Sequence, residues 1–360
     1  MPLFLGVLWL CINLRFLALL PQRKSPRSGG GSSSKYSRTR RDCYGYCMRM
    51  RGLYAGAWKE RKIASMIFSV IVPFLNEERY IECCIKSLLR QDFDVREREL
   101  IFVDNGSTDG SAEIVRRYPE ITMLREPLPN VYAARNKALA IARGEIIAFT
   151  DADCEVAPDW LSQIGWGIKE TGAAIVLGKR LFSPRCSVTA QILQDYENAK
   201  SEYLLTQSMA KYYFGFTNNM AVTAHCFKEV GVFEDKLKRH ADTELVQRCV
   251  LKCPRSKIVY LSDMKIVHLE IVSVWAWLAK LYIYGMHNRD VKELQSYYQE
   301  LGLKERREVF EHLVRTYHYS FLKSLWATFV LMGGSFFYAA GQVFRFFCDL
   351  FAAKGKPLWK

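Results

Sequence analysis

Two carboxylates one residue apart end an apolar run: Ile146-Ile-Ala-Phe149 is followed by Thr150-Asp151-Ala152-Asp153. The run has the length and composition of a buried strand. Asp151 and Asp153 then emerge together at its C-terminal end, the edge where open α/β sheets bind ligands. Paired carboxylate oxygens suit a hard divalent cation, Mg2+ or Mn2+, and such a cation suits a diphosphate. Asp-x-Asp also occurs in turns and helix caps, so its meaning depends on its surroundings.

Those surroundings repeat a strand-then-helix rhythm. Ile67 to Pro73 is a near-continuous apolar, β-branched run, as expected of a strand covered on both faces. After Asn76-Glu77-Glu78, Ile81, Ile85, Leu88 and Leu89 recur at helical spacing. Leu100 to Val103 predicts a second strand, ending in the turn-forming Asp104-Asn-Gly-Ser-Thr-Asp-Gly110 and a helix from Ser111 to Tyr118. A strand over Ile121–Leu124, a helix over Asn130–Arg143 and the strand Glu145–Phe149 follow. The alternation predicts an α/β fold with a mostly parallel sheet flanked by helices. There is neither a G-x-x-x-x-G-K-[ST] loop nor a G-x-G-x-x-G turn, which argues against a P-loop ATPase or a dinucleotide oxidoreductase.

Four blocks together carry a resemblance: Ser69-Val-Ile-Val-Pro-Phe-Leu-Asn-Glu-Glu78, Val103-Asp-Asn-Gly-Ser-Thr-Asp-Gly110, Ala134-Arg-Asn136 and Thr150-Asp-Ala-Asp153. In order and spacing this resembles the family 2 glycosyltransferases of GT-A fold. Thr217-Asn-Asn-Met-Ala221, Phe227 to Phe233 and His240-Ala-Asp-Thr-Glu-Leu245 extend it, so that it covers about residues 67 to 289. The resemblance implies an inverting transfer of sugar from a nucleotide-diphosphate sugar, UDP- or GDP-linked, to a hydroxyl of a glycan or lipid-linked acceptor. It assigns Pro73, Asn76, Glu77 and Asp104 to the nucleotide, and places Asn105 where the family often has a second Asp. Asp242 becomes the general base and His268, at the end of Met264-Lys-Ile-Val-His268, a residue near the metal and diphosphate. Where the family usually shows Glu-Asp, this chain has Ala241-Asp242.

The chemistry demands the same parts. Charge develops on the departing diphosphate, which a cation at Asp151 and Asp153 would stabilise, and the attacking hydroxyl must lose a proton to a carboxylate. Asp242 could instead cap a helix over Thr243–Cys253. Arg135 is expected to contact the diphosphate or ribose, since Arg suits phosphate oxygens, with a solvated helix face as the alternative. His268 could be an ordinary half-buried histidine, since imidazole is a second-choice ligand for these metals. His240 reads as a loop residue, and the aromatic helix Ser273–Asn288 as a packing helix.

Composition sets the remaining bounds. Of the net charge of +14 over 360 residues, residues 1–65 hold +11: 13 Lys/Arg against Asp42 and Glu60. The rest is nearly balanced, which excludes a basic nucleic-acid binder. Eleven cysteines form neither a metal spacing nor a disulfide framework, in keeping with a reducing cytosol. Residues 1–65 read as a disordered basic extension, with Met66 the expected functional start. Residues 66–270 read as the catalytic domain, 271–317 as helices packing on it, 318–347 as a hydrophobic membrane-associated helix or hairpin, and 348–360 as a tail. Ser324 to Gln342 lacks any charge and approaches spanning length, which places the protein at the cytoplasmic face of a membrane. A sugar nucleotidyltransferase would want a Gly-rich basic signature after the first strand, where this chain has Pro-Phe-Leu-Asn-Glu-Glu. A non-enzymatic binding module would not need Asp104, Asp151, Asp153 and Asp242 together.

Overall fold

The computed structural model describes residues 67–183, 186–254, 257–270, 274–294 and 299–352. The expectations for residues 1–65 and for the end of the tail lie outside the described residues.

All seven residues of β1 (Phe68–Phe74) are buried. Alternation within the strand sends Phe68, Val70, Val72 and Phe74 to one apolar layer and Ile71 to the other. The first layer holds Ile81, Cys84, Ile85 and Leu88 of α1 (Ile81–Leu89) and Trp160, Leu161 and Ile164 of α4 (Trp160–Thr171). The second holds Tyr132, Ala134 and Ala138 of α3 (Val131–Leu139) and Leu245, Val246 and Cys249 of α7 (Ala241–Lys252). A strand covered on both faces has no polar side to show, hence its unbroken apolar sequence.

Eight strands form one sheet in the order β3-β2-β1-β4-β7-β6-β8-β5. Its first four strands, β3 (Ile121–Arg125), β2 (Arg98–Asp104), β1 and β4 (Ile146–Thr150), are parallel. The other half is mixed. β7 (Asn219–Thr223) runs antiparallel to β4 and to β6 (Ala173–Phe182), β6 is parallel to β8 (Lys257–His268), and β5 (Cys154–Val156) is antiparallel to β8. The mostly parallel expectation therefore holds for the β3-β2-β1-β4 half and gives way to mixed pairing beyond β4. The third helix stops at Leu139, short of Arg143, and begins where the Asn130 side chain accepts the Tyr132 amide at 2.8 Å. The second helix, α2 (Ser111–Arg116), ends before Tyr118.

A third apolar layer joins α5 (Val188–Thr206), α9 (Leu303–Thr316) and α10 (Phe321–Ala352) through Ile192, Leu193, Phe310, Leu313, Ala327 and Leu331. α10 also packs along α8 (Val274–Leu294). Their backbones touch because glycine stands at the crossing: a Cβ on Gly285 would lie 2.0 Å from the Tyr338 carbonyl oxygen, and one on Gly341 2.1 Å from that of Tyr282. Small residues permit such close helix contact. Phe321–Asp349 is long and apolar enough to cross a membrane by length and composition. Its outward side carries Leu322, Trp326, Phe329, Phe336, Val343 and Phe347, all exposed and spaced as one helical stripe.

Candidate active site

Three residues separate β4 from β5, and β5 pairs with β8 so that Cys154 stands opposite His268. This turn brings the end of β4 against the end of β8. His268 Nε2 lies 3.4 Å from Asp153 Oδ2, both residues buried. Asp151 Oδ1 is 2.7 Å from Arg135 Nη2, whose guanidinium is buried and stacks 5.5 Å from the Tyr132 ring centroid. Burial pushes the Asp153 carboxyl up to about 6, with Lys280 drawing it back. Burial, aided by Lys280, holds His268 down at about 4, so the imidazole is neutral at pH 7. The Asp151 carboxyl is also raised by burial, against the pull of Arg135.

The remaining predicted nucleotide residues ring the ends of β1 and β2. Pro73 pairs in register with Val103, and Asp104 Oδ1 accepts the Ser107 amide at 2.8 Å. Asn76, at φ 57°, accepts the Thr108 amide at 2.8 Å, so its side-chain oxygen serves the loop; Asn tolerates this left-handed backbone. Asn105 donates its amide to the Glu126 carbonyl at 3.0 Å, a bond that an Asp at this position could not donate. Glu77 differs. Burial, followed by the charges of Asp153, Glu270 and Asp151, pushes its carboxyl up to about 8.

Asp242 lines a cleft of about 710 Å³ together with Asp151, Arg135 and His268. It is not the helix cap. α7 begins at Ala241, and the residue before it, His240, takes a left-handed φ of 66°. Such a conformation costs energy in a non-glycine residue and tends to persist at functional sites. Asp242 is thus in the first turn, where its Oδ1 accepts the Thr243 amide at 2.9 Å and the Tyr132 hydroxyl at 3.4 Å, and its Oδ2 accepts the Thr217 amide at 3.4 Å. Burial raises its pKa, opposed by His240 and Arg135. Because Tyr132 touches Asp242 and stacks on Arg135, one helix, α3, connects Asp242 to the Arg135–Asp151 pair.

Sequence reading missed several wall residues. Lys280 of α8 lies 3.1 Å from Glu270, and its charge reaches Asp153, Glu77 and His268. α8, expected to pack, also lines the cleft with Trp277, Leu281 and Tyr284, and α10 adds Met332, Ser335 and Tyr338. Arg180 of β6 stacks 4.0 Å from the Phe216 ring centroid. No local motif marks these residues, since strand and helix register bring them in from distant sequence.

Asn219 and Asn136, both inside the recognised blocks, serve the scaffold. Asn219 accepts Trp160 Nε1–H at 2.8 Å and donates to the carbonyls of Lys179 (2.9 Å) and Met264 (3.0 Å). Asn136 donates to the Phe233 carbonyl at 2.8 Å and accepts the Phe233 amide at 3.1 Å.

The donor set fits a divalent cation. Asp151 keeps Oδ2 free of its arginine bond, Asp153 has a raised pKa that a cation would reverse, and neutral His268 leaves buried Nδ1 without a hydrogen-bond partner among the described residues. The group whose ligand atoms lie within 4.8 Å of one another leaves out Asp151 and joins Asp153 and His268 with Cys154. Its thiol is pushed well up by burial and donates to Asp153 at 3.4 Å, so it supports the carboxylate as a protonated thiol.

The sheet order and the site at its C-terminal edges define a GT-A-like α/β domain. The same fold occurs in mannosyltransferase PcManGT from Pyrobaculum calidifontis, solved in complex with GDP-Man and Mn2+: TM-score 0.57, 19% identity, covering 84% of this chain and 94% of that one. Residues 69–227 match the family model for Glycosyl transferase family 2. Glycosyltransferase AglE of Haloferax volcanii is 29% identical over 186 residues, 50% of this chain and 60% of AglE. Glycosyltransferase YibD of Escherichia coli K12 is 36% identical over 94 residues, 25% of this chain and 27% of YibD. The chain spans less than two thirds of the length of these curated relatives.

Proposed function

We propose that this protein is an inverting glycosyltransferase that moves a sugar from a nucleotide-diphosphate donor, UDP- or GDP-linked, to a hydroxyl of a glycan or lipid-linked acceptor. The observation that carries the reading is one cleft lined by Asp151, His268 and Asp242 together. Glu77, Asp104 and the Pro73–Asn76 strand end would hold the nucleotide. Asp151, Asp153 and His268 would hold Mg2+ or Mn2+, whose positive charge supplies Lewis-acid stabilisation to the diphosphate when bound. Arg135 keeps Asp151 oriented by their 2.7 Å ion pair. The acceptor oxygen bonds to the anomeric carbon as the carbon–oxygen bond to the diphosphate breaks, and the electron pair leaves with the nucleoside diphosphate. The hydroxyl proton passes to Asp242, whose raised pKa suits a base. The outward apolar stripe of α10 would seat the protein on the cytoplasmic face of a membrane.

The test is nucleotide release from a panel of UDP- and GDP-sugars with Mn2+, with and without EDTA. Release from at least one donor, abolished by EDTA, is expected. Nucleotide-sugar binding with no release in any condition, acceptor mixtures included, would leave a binding module and overturn the enzyme.

A further inference from the structure

The lining of the cleft carries charge that the sugar-transfer chemistry does not use. Arg180 lies on β6, two residues before Phe182, which pairs with His268. Glu197 and Lys200 lie on α5, which supplies none of the predicted metal ligands. Lys200 Nζ is 2.7 Å and Arg180 Nη2 3.5 Å from the same oxygen, Glu197 Oε2. One carboxylate is thus shared by two cations, leaving one positive charge in excess. The two cations outweigh burial and hold Glu197 below the ordinary carboxylate range.

Both cations are braced by aromatic rings, Arg180 on Phe216 and Lys200 on Phe214, at 4.0 and 4.6 Å. Arg180 Nε is a buried atom with no hydrogen-bond partner among the described residues, and its Nη2 has only the long contact to Glu197. Buried N–H donors left unmade are costly, and all three charged side chains face the cleft. Phe216 immediately precedes Thr217, whose amide contacts Asp242, so this wall adjoins the base.

We infer that Arg180 and Lys200 form an anion subsite beside the base and that the acceptor carries a phosphate group bound there, with Glu197 holding the subsite together until the acceptor enters. The guanidinium fork offers two adjacent donors and the ammonium a third direction, which the three oxygens of a phosphate can engage one apiece. The word acceptor rests on the glycosyltransferase reading; the anion subsite does not.

The test is calorimetric binding of inorganic phosphate to the full chain in EDTA, so that a cation-dependent diphosphate site stays silent. Arg180→Met and Lys200→Met should each weaken binding about tenfold or more, the cost of a charge-assisted hydrogen bond. Glu197→Gln should tighten it, because the competing carboxylate is gone. A purely structural ion network predicts the reverse for Glu197→Gln: lower melting temperature and no gain in phosphate affinity, which overturns the proposal. So does acetate binding as tightly as phosphate, or phosphate binding unchanged in both cation variants while their circular dichroism is native.

Vesicles of phosphatidylcholine with and without phosphatidic acid separate the sources. Capture that depends on phosphatidic acid and is lost in Arg180→Met marks a lipid-borne phosphate. Binding of free phosphate alone marks a soluble acceptor, and either result supports the subsite. Donor turnover is scored apart, by nucleotide release into water: its failure with phosphate binding intact would sink the enzyme reading and leave the subsite standing.

Discussion

Asp242→Asn separates a proton acceptor from a structural carboxylate. Asn keeps one carbonyl oxygen, which can still accept the Thr243 amide and the Tyr132 hydroxyl, now at 2.9 and 3.4 Å. Its amide nitrogen would replace Oδ2 opposite the Thr217 amide, losing a bond that is already long at 3.4 Å and worth about 1 kcal/mol. Loss of a negative charge in the first turn of α7 costs about 0.3–1 kcal/mol. Against these, the carboxylate is charged in a buried setting that raises its pKa, and Asn removes that penalty. The net stability change is therefore about 1 kcal/mol, or a melting shift of about 2–4 °C in a domain of this size. Loss of a general base costs about 10² to 10⁴ in rate, roughly 3–5 kcal/mol at 1.36 kcal/mol per tenfold. Nucleotide release in the presence of acceptor should collapse by that factor, while donor affinity by calorimetry changes little. Wild-type turnover in this variant would refute the reasoning and shift the base to His240, which burial holds neutral in the same cleft. Glu244 is a poor substitute, because Arg248 binds both its oxygens at 2.9 and 2.5 Å.

Asp153→Ala should abolish Mn2+-dependent donor binding and turnover; full activity of that variant in EDTA would remove the metal role. Glu77 makes the metal-free protein acid-favoured: its folded pKa of about 8 exceeds the ordinary 4.5, so its contribution is fully present below pH 4.5 and is lost as pH rises through about 8. Melting temperature in EDTA should fall across that window, and Glu77→Gln should flatten the slope; an unchanged slope counts against the acid cluster. Gly285→Ala places a methyl 2.0 Å from a backbone oxygen of α10, which should cost about 1–3 kcal/mol by overpacking and separate α8 from α10; an unaltered thermal melt would mean that the helix pair is not held there. Asn219→Ala strands Trp160 Nε1–H and two carbonyls in the core, with an expected loss of about 3 kcal/mol or more in urea unfolding.

The first half of the domain was readable because a strand buried on both faces leaves an unbroken apolar signature, as in Ile71 to Phe74, and because its loops end in Asp, Asn and Gly. The second half was not. β6, β7 and β8 pair antiparallel or across long insertions, and nothing in their own sequence records which neighbour they take. The resemblance reached Asp242, yet not its setting: an N-cap and a first-turn residue look alike until His240 is seen to take the left-handed backbone that precedes α7. Asn136 and Asn219 carry the opposite lesson, since both stand in recognised blocks and spend their amides on the scaffold. Arg180 and Lys280 gave no signal, because each is an ordinary charged residue made relevant by the strand register of β6 and the crossing of α8.

The crossing of α8 and α10 at Gly285 and Gly341 lies well outside the stretch that carries the carboxylates. A chain ending at His268 would keep Asp151, Asp153 and Asp242 while removing Trp277, Tyr284 and Tyr338 from above them. On the proposed chemistry, with the cleft lining thinned in this way, water would be the most abundant hydroxyl within reach of the donor. What distinguishes a builder of glycosidic bonds from a squanderer of activated sugar would thus be a roof contributed by the C-terminal helices, free to diverge with each acceptor while the donor chemistry beneath stays fixed.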